Sequence, residues 1–215
     1  MKLKHKAVAF AIATLFAAAA SAQTGSTSKV TVDQLKQSQS GTGNKQELDL
    51  GNASKGGKSN VNAKNINQTQ SGGSGNAQKM ALGNAEGKGS QSKLNATNVR
   101  QTQSGGSGNK QDMAIANAKS GGKSDVTVRD ITQTQGGGQG NTQKMGIGNA
   151  ENKGVSKVQA TNITQAQTAT GSKQDMQIGN AVGSGSKSDV RASNVGQTQS
   201  GSKNDQKLNI GNAKN

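Results

Sequence analysis

Residues 124–150 run Ser124-Asp125-Val126-Thr127-Val128-Arg129-Asp130-Ile131-Thr132-Gln133-Thr134-Gln135, then Gly136-Gly137-Gly138-Gln139-Gly140, then Asn141-Thr142-Gln143-Lys144-Met145-Gly146-Ile147-Gly148-Asn149-Ala150. Two arms with period-two alternation flank a glycine cluster, and β-branched residues crowd the first arm. That is the pattern of strand, turn, strand. The stretch recurs along the chain. Gly-Asn-Ala, or Ala-Asn-Ala in one copy, stands at 51–53, 83–85, 116–118, 148–150, 179–181 and 211–213. Gln-x-Gln keeps step with it at 37–39, 68–70, 101–103, 133–135, 165–167 and 197–199. Six copies of a unit of about 32 residues therefore fill 28–215, each joined to the next by a Gly/Ser/Lys stretch such as 54–58. A register this strict marks stacked repeats rather than a disordered polar chain.

Composition sharpens that reading by what it excludes. The chain has 215 residues with 31 Gly, 24 Gln and 22 Asn, and neither Pro nor Cys. Its only aromatics, Phe10 and Phe16, and its only histidine, His5, fall within the first 16 residues. Those residues read as a secretory signal: Lys2, Lys4 and Lys6, the apolar run 7–20, then the small-residue site Ala20-Ser21-Ala22. Residues 1–22 form the expected signal peptide, 23–27 a short spacer. The remaining chain has no imidazole base, no thiol nucleophile and no Cys or His metal ligand, so the reading is not an enzyme and involves no cofactor. Without Cys it has no disulfides for the oxidising space beyond the membrane. Its net charge of +15 becomes +12 once the three signal lysines are removed.

The alternation places Ser, Val and Val/Ala, then Ile/Val and two Gln, on the inward side of the first arm. One extra residue between these two sets, at Gln34, Asn65, Asn98, Asp130, Asn162 and Asn194, shifts the phase. Asn and Asp tolerate left-handed backbone, so a corner is expected there. The second arm turns Asn, Gln, Met/Leu and Ile/Leu inward. This interior holds too little hydrocarbon for an ordinary core and too many amides to leave unpaired, at roughly 1–3 kcal/mol each. Stacking rungs about 4.8 Å apart lets each amide meet its own copy. The expected fold is an all-β solenoid with a cross-β interior, its rungs strand–turn–strand. Its amide ladders comprise Gln37, Gln68, Gln101, Gln133, Gln165 and Gln197; Gln39, Gln70, Gln103, Gln135, Gln167 and Gln199; Gln46, Gln78, Gln111, Gln143, Gln174 and Gln206; and Asn44, Asn76, Asn109, Asn141 and Asn204.

The runs Ser-x-Val-x-Val and Gln-x-Gln-Gly-Gly-Gly-x-Gly-Asn-x-Gln resemble the curlin repeats of secreted bacterial amyloid subunits. The resemblance covers all six units. It implies a subunit that polymerises into extracellular fibres of a biofilm matrix at the bacterial surface, serving adhesion. It also implies export through a dedicated outer-membrane pore and seeding by a nucleator.

Other motifs carry less. Gly57-Lys58-Ser59 and Gly122-Lys123-Ser124 lack the earlier glycine of a phosphate-cradling loop, since Asn52 and Asn117 stand in its place. The glycine turns lack the Asp of calcium-binding β-rolls. Met80, Met113, Met145 and Met176 share one inward column with Leu48 and Leu208, which is a core stripe. The positive charge favours loose, salt-sensitive association with acidic polysaccharide or extracellular DNA. Specific nucleic-acid recognition is not expected, because no aromatic is left for bases to stack on, and neither is a membrane span. The rival reading is a monomeric solenoid with an ice- or carbohydrate-binding face. Its best column, Ser38, Thr69, Thr102, Thr134, Ala166 and Thr198, is single and interrupted.

One outward column alternates in sign at every rung, and a second nearly does. One reads Glu47, Lys79, Asp112, Lys144, Asp175, Lys207, and the other Lys29, Asn60, Lys93, Asp125, Lys157, Asp189. Each ends with the sign opposite to its beginning. Lys29, Glu47, Asp189 and Lys207 are thus the expected residues of a head-to-tail subunit joint.

Overall fold

A computed structural model describes residues 27–54, 57–87, 89–120 and 122–214. The expected signal peptide 1–22 and nearly all of the expected spacer lie outside the described residues. The described chain is a parallel β-solenoid of six rungs. Every rung-to-rung pairing joins equivalent residues: Gln133 lies between Gln101 and Gln165, and Met145 between Met113 and Met176.

Each rung is bent more often than the two-arm pattern suggests. In the fourth unit four short strands follow one another, at Lys123–Asp125, Gln133–Gly136, Thr142–Ile147 and Ala150–Glu151. Stacked with their equivalents they make three six-stranded sheets and one five-stranded sheet. The first unit joins the short fourth sheet only through the bridge from Ala53 to Ala85.

The expected phase shift occurs where two consecutive residues, Arg129 and Asp130, both lie outside the core between buried Val128 and Ile131. Its left-handed backbone does not fall on the phase-shifting Asn/Asp positions. It falls two residues earlier at Ala96, Val128 and Ala160, with φ +40°, +26° and +40°, and three residues earlier at Asn62 and Asn95, with φ +152° and +98°. Ala96, Val128 and Ala160 are buried in the bend.

Between the second and third sheets the glycine turns stack on one another. Gly106 has φ +69°, and an added Cβ would collide with the Gly138 carbonyl of the next rung. Only glycine combines that backbone with that approach. The interior is one continuous apolar cluster in which Val126, Ile131, Met145 and Ile147 stack on their equivalents above and below. It is thin, so hydrogen-bonded amides complete it.

Candidate assembly site

Two glutamine columns face each other across the rung. In the third sheet the amides bond along the axis. Nε2 of Gln46 donates to Gln78 Oε1 at 2.9 Å, Gln78 to Gln111 at 2.7 Å, and Gln111 to Gln143 at 2.8 Å. Gln143 then donates to Gln174 at 2.9 Å and Gln174 to Gln206 at 3.1 Å, so one file of side-chain bonds spans all six rungs. Of the second Gln of each Gln-x-Gln pair, Gln70 donates to Gln103, Gln135 to Gln167 and Gln167 to Gln199, at 3.2, 3.4 and 2.9 Å. Gln39 contributes a half-buried side chain to the first rung of that column.

The first Gln of each pair behaves differently. Gln68, Gln101, Gln133, Gln165 and Gln197 are not bonded to one another. Their Nε2 groups reach across to main-chain carbonyls of the third sheet, as Gln133 does to Asp112 O at 3.4 Å and Gln165 to Gln174 O at 3.4 Å. Their five Oε1 atoms are buried without a hydrogen-bond partner. Gln37, in the first rung, is half-buried.

The asparagine column fastens the glycine turn to the next rung. The Asn76 N–H donates to Asn44 Oδ1, that of Asn109 to Asn76 and that of Asn141 to Asn109, each at 2.9 Å. Asn109 Nδ2 donates to the Gly137 and Gly138 carbonyls at 3.3 and 3.4 Å, holding the turn whose close stacking requires glycine. In the shorter fifth unit Ser172 replaces Asn. Its N–H donates to Asn141 Oδ1 and its Oγ accepts from the Asn204 N–H, both at 3.0 Å.

Two further columns complete the stack, and the first is the inward serine that opens each first arm. Ser59, Ser92, Ser124, Ser156 and Ser188 donate their hydroxyls to the carbonyls of Gly83, Ala116, Gly148, Gly179 and Gly211, bracing the bend that leads into the fourth sheet. Their invariant place in the repeat was the available signal. The second is an outward column in the fourth sheet, where Lys119 pairs in register with Glu86 below and Glu151 above.

The alternating charges lie where the pattern put them. Asp112 is in register between Lys79 and Lys144, and Lys79 Nζ lies 3.4 Å from Glu47. The Asp112 carboxyl is pushed above its ordinary value by burial, against the opposing pull of Lys144 and Lys79. Asp49 is raised too, by burial and then by neighbouring Glu47. Lys29 and Glu47 are exposed on the first rung, Asp189 and Lys207 on the last.

The ends differ from the middle. Leu82, Ile115, Ile147 and Ile178 are fully buried, whereas their equivalents Leu50 and Ile210 in the end rungs are only partly covered, and Val30 is 39% exposed. Among the described residues, each end rung also presents the open backbone edge of its sheets. Among the described residues, no three acidic, His or Cys side chains come together as a metal site would need. Comparisons with protein-family models, with curated proteins and with solved structures return no match.

Proposed function

We propose that this chain is a secreted structural subunit that stacks end to end into extracellular fibres, in the manner of curli-type subunits of a bacterial surface matrix. The observation that carries the reading is that, among the described residues, both end rungs are open. Each displays free sheet edges and a partly covered apolar strip, and no described residue forms the polar cap with which monomeric solenoids close themselves. A second copy supplies the missing layer at either end. On this reading an outer-membrane pore and a nucleator are the partners that the curlin resemblance implies. The outward lysines add loose attraction to acidic polysaccharide or extracellular DNA.

The mature protein at neutral pH should convert to unbranched fibres, visible in negative stain, with a meridional reflection near 4.8 Å. A protein that keeps a β-sheet spectrum and remains monomeric at high concentration would overturn the proposal. That outcome would favour the second reading, a monomeric binding module. It draws support from one observation: Thr69, Thr102 and Thr134 stand in register, half-exposed, on the second sheet.

A further inference from the structure

Two hydrogen-bond files run the length of the solenoid, a third runs from the third rung to the last, and each has a direction. In the glutamine file every Nε2 donates toward the C-terminal rung. Gln206 Nε2 therefore ends the file as a donor with no acceptor among the described residues, and Gln46 Oε1 begins it as an acceptor with no donor. In the turn file the asparagine N–H donates toward the N-terminal rung. It leaves Asn204 Oδ1 open at the last rung and the Asn44 N–H open at the first. In the corner file the Asn149 N–H donates to Asn180 Oδ1 and the Asn180 N–H to Asn212 Oδ1, each at 2.8 Å, leaving the Asn212 N–H at the last rung. The two continuous files thus each have an unspent donor at one end and an unspent acceptor at the other, while the corner file is interrupted at Asn117, whose Oδ1 has no partner.

The outward charges follow the same rule. Glu47 begins one alternating column and Lys207 ends it; Lys29 begins the other and Asp189 ends it. The Glu86, Lys119, Glu151 column alternates within the molecule, but its end positions, Ser54 and Lys214, give no opposite pair. It carries nothing across a joint.

We infer that the joint between subunits is a further internal step. The first rung of one copy sits on the last rung of another in the register of the stack, and the charge columns select that pairing. Gln206 Nε2 then meets Gln46 Oε1, the Asn44 N–H meets Asn204 Oδ1, Lys207 flanks Glu47, and Asp189 flanks Lys29. First rung on first rung would set acceptor against acceptor in the glutamine file. The fibre is therefore polar. This inference rests on the end-to-end reading above and adds its register and selectivity.

The test uses two full-length variants, Glu47→Lys and Lys207→Glu. Each alone puts like charges on both sides of every joint. An equimolar mixture restores opposite charges at every joint that alternates the two variants. Each substitution also disturbs one internal neighbour, Lys79 or Asp175, and mixing leaves that disturbance unchanged. At low salt each variant should elongate about two- to five-fold more slowly than wild type, in keeping with exposed pairs. The mixture should outpace both, and high salt should erase the differences. The pair Lys29→Asp and Asp189→Lys repeats the test on the other column. A mixture no faster than its separate components, while wild type still forms fibres, overturns the charge-selected joint and leaves the fibre reading standing. Wild type that forms no fibres removes both.

Discussion

Gln101 and Gln111 face each other across one rung, both completely buried, yet they spend their amides in different directions. Gln111 accepts from Gln78 at 2.7 Å and donates to Gln143 at 2.8 Å, so its side chain joins three rungs. Its Nε2 also reaches the Gln133 carbonyl at 3.0 Å. Gln101 donates only to the Gln111 carbonyl, at 3.4 Å, and its Oε1 has no partner. One residue type at one spacing therefore does two jobs. A bond along the axis belongs to the interface between repeats, which is where a solenoid keeps its cooperativity. A bond across the rung only holds the two walls together.

The largest expected effect comes from breaking the axial file. Gln111→Leu removes one acceptor of Gln78 Nε2 and the donors of Gln143 Oε1 and the Gln133 carbonyl, all in the dry interior. It should destabilise by about 2 kcal/mol, since Gln143 Oε1 loses its donor in the interior while Gln78 Nε2 keeps the Gln101 and Thr69 carbonyls at 3.1 and 3.3 Å. Gln101→Leu loses one long bond but also removes a buried oxygen that had no partner. Its cost should stay within about 1 kcal/mol. Denaturant midpoints of the unassembled variants measure both. Equal midpoints would mean that the two columns are energetically alike, and the contrast between axial and transverse amides would fail.

The all-β stack, its period and its inward columns were legible in the sequence because the repeat is strict. Gln-x-Gln and Gly-Asn-Ala keep step through all six units, and stacking makes each position face its own copy. The four-sided rung was not legible. The Ala150–Glu151 strand is two residues long, too short to show any periodicity. The stretch 126–132, rich in β-branched residues, reads as strand but bends, because the phase shift at Arg129 and Asp130 breaks the ladder there. The left-handed position was read at the phase-shifting Asn and Asp residues, and it lies two or three residues earlier, on Asn62, Asn95, Ala96, Val128 and Ala160. The different uses of Gln101 and Gln111 could not be read either. Alternation tells which way a side chain points, while the heading of its terminal amide depends on what the opposite wall offers.

The smallest effect concerns the outward neighbour of the axial file. Asp112 follows Gln111 on the same strand and takes part in the charge column, where Lys79 and Lys144 flank it. The residue lies exposed on the outer face, yet partial desolvation of the carboxyl among its neighbours outweighs the two lysines and raises it above the ordinary 3.8. The folded state therefore holds this proton more tightly than the unfolded chain does. By linkage, that contribution to stability is fully present below about pH 3.8 and is lost as pH rises through the folded value. Titrating the denaturant midpoint of the unassembled protein from pH 7 down to 4 should reveal it as a small gain in acid. Asp112→Asn should flatten that part of the profile and match or slightly exceed wild type at neutral pH, because a neutral amide escapes the burial penalty. The glutamine file has no titrating group, so the gap between wild type and Gln111→Leu should stay constant across the same range. A loss of stability in Asp112→Asn at neutral pH would reverse the balance, showing that attraction to Lys79 and Lys144 outweighs burial and that the charge column stabilises each molecule as well as selecting its neighbours.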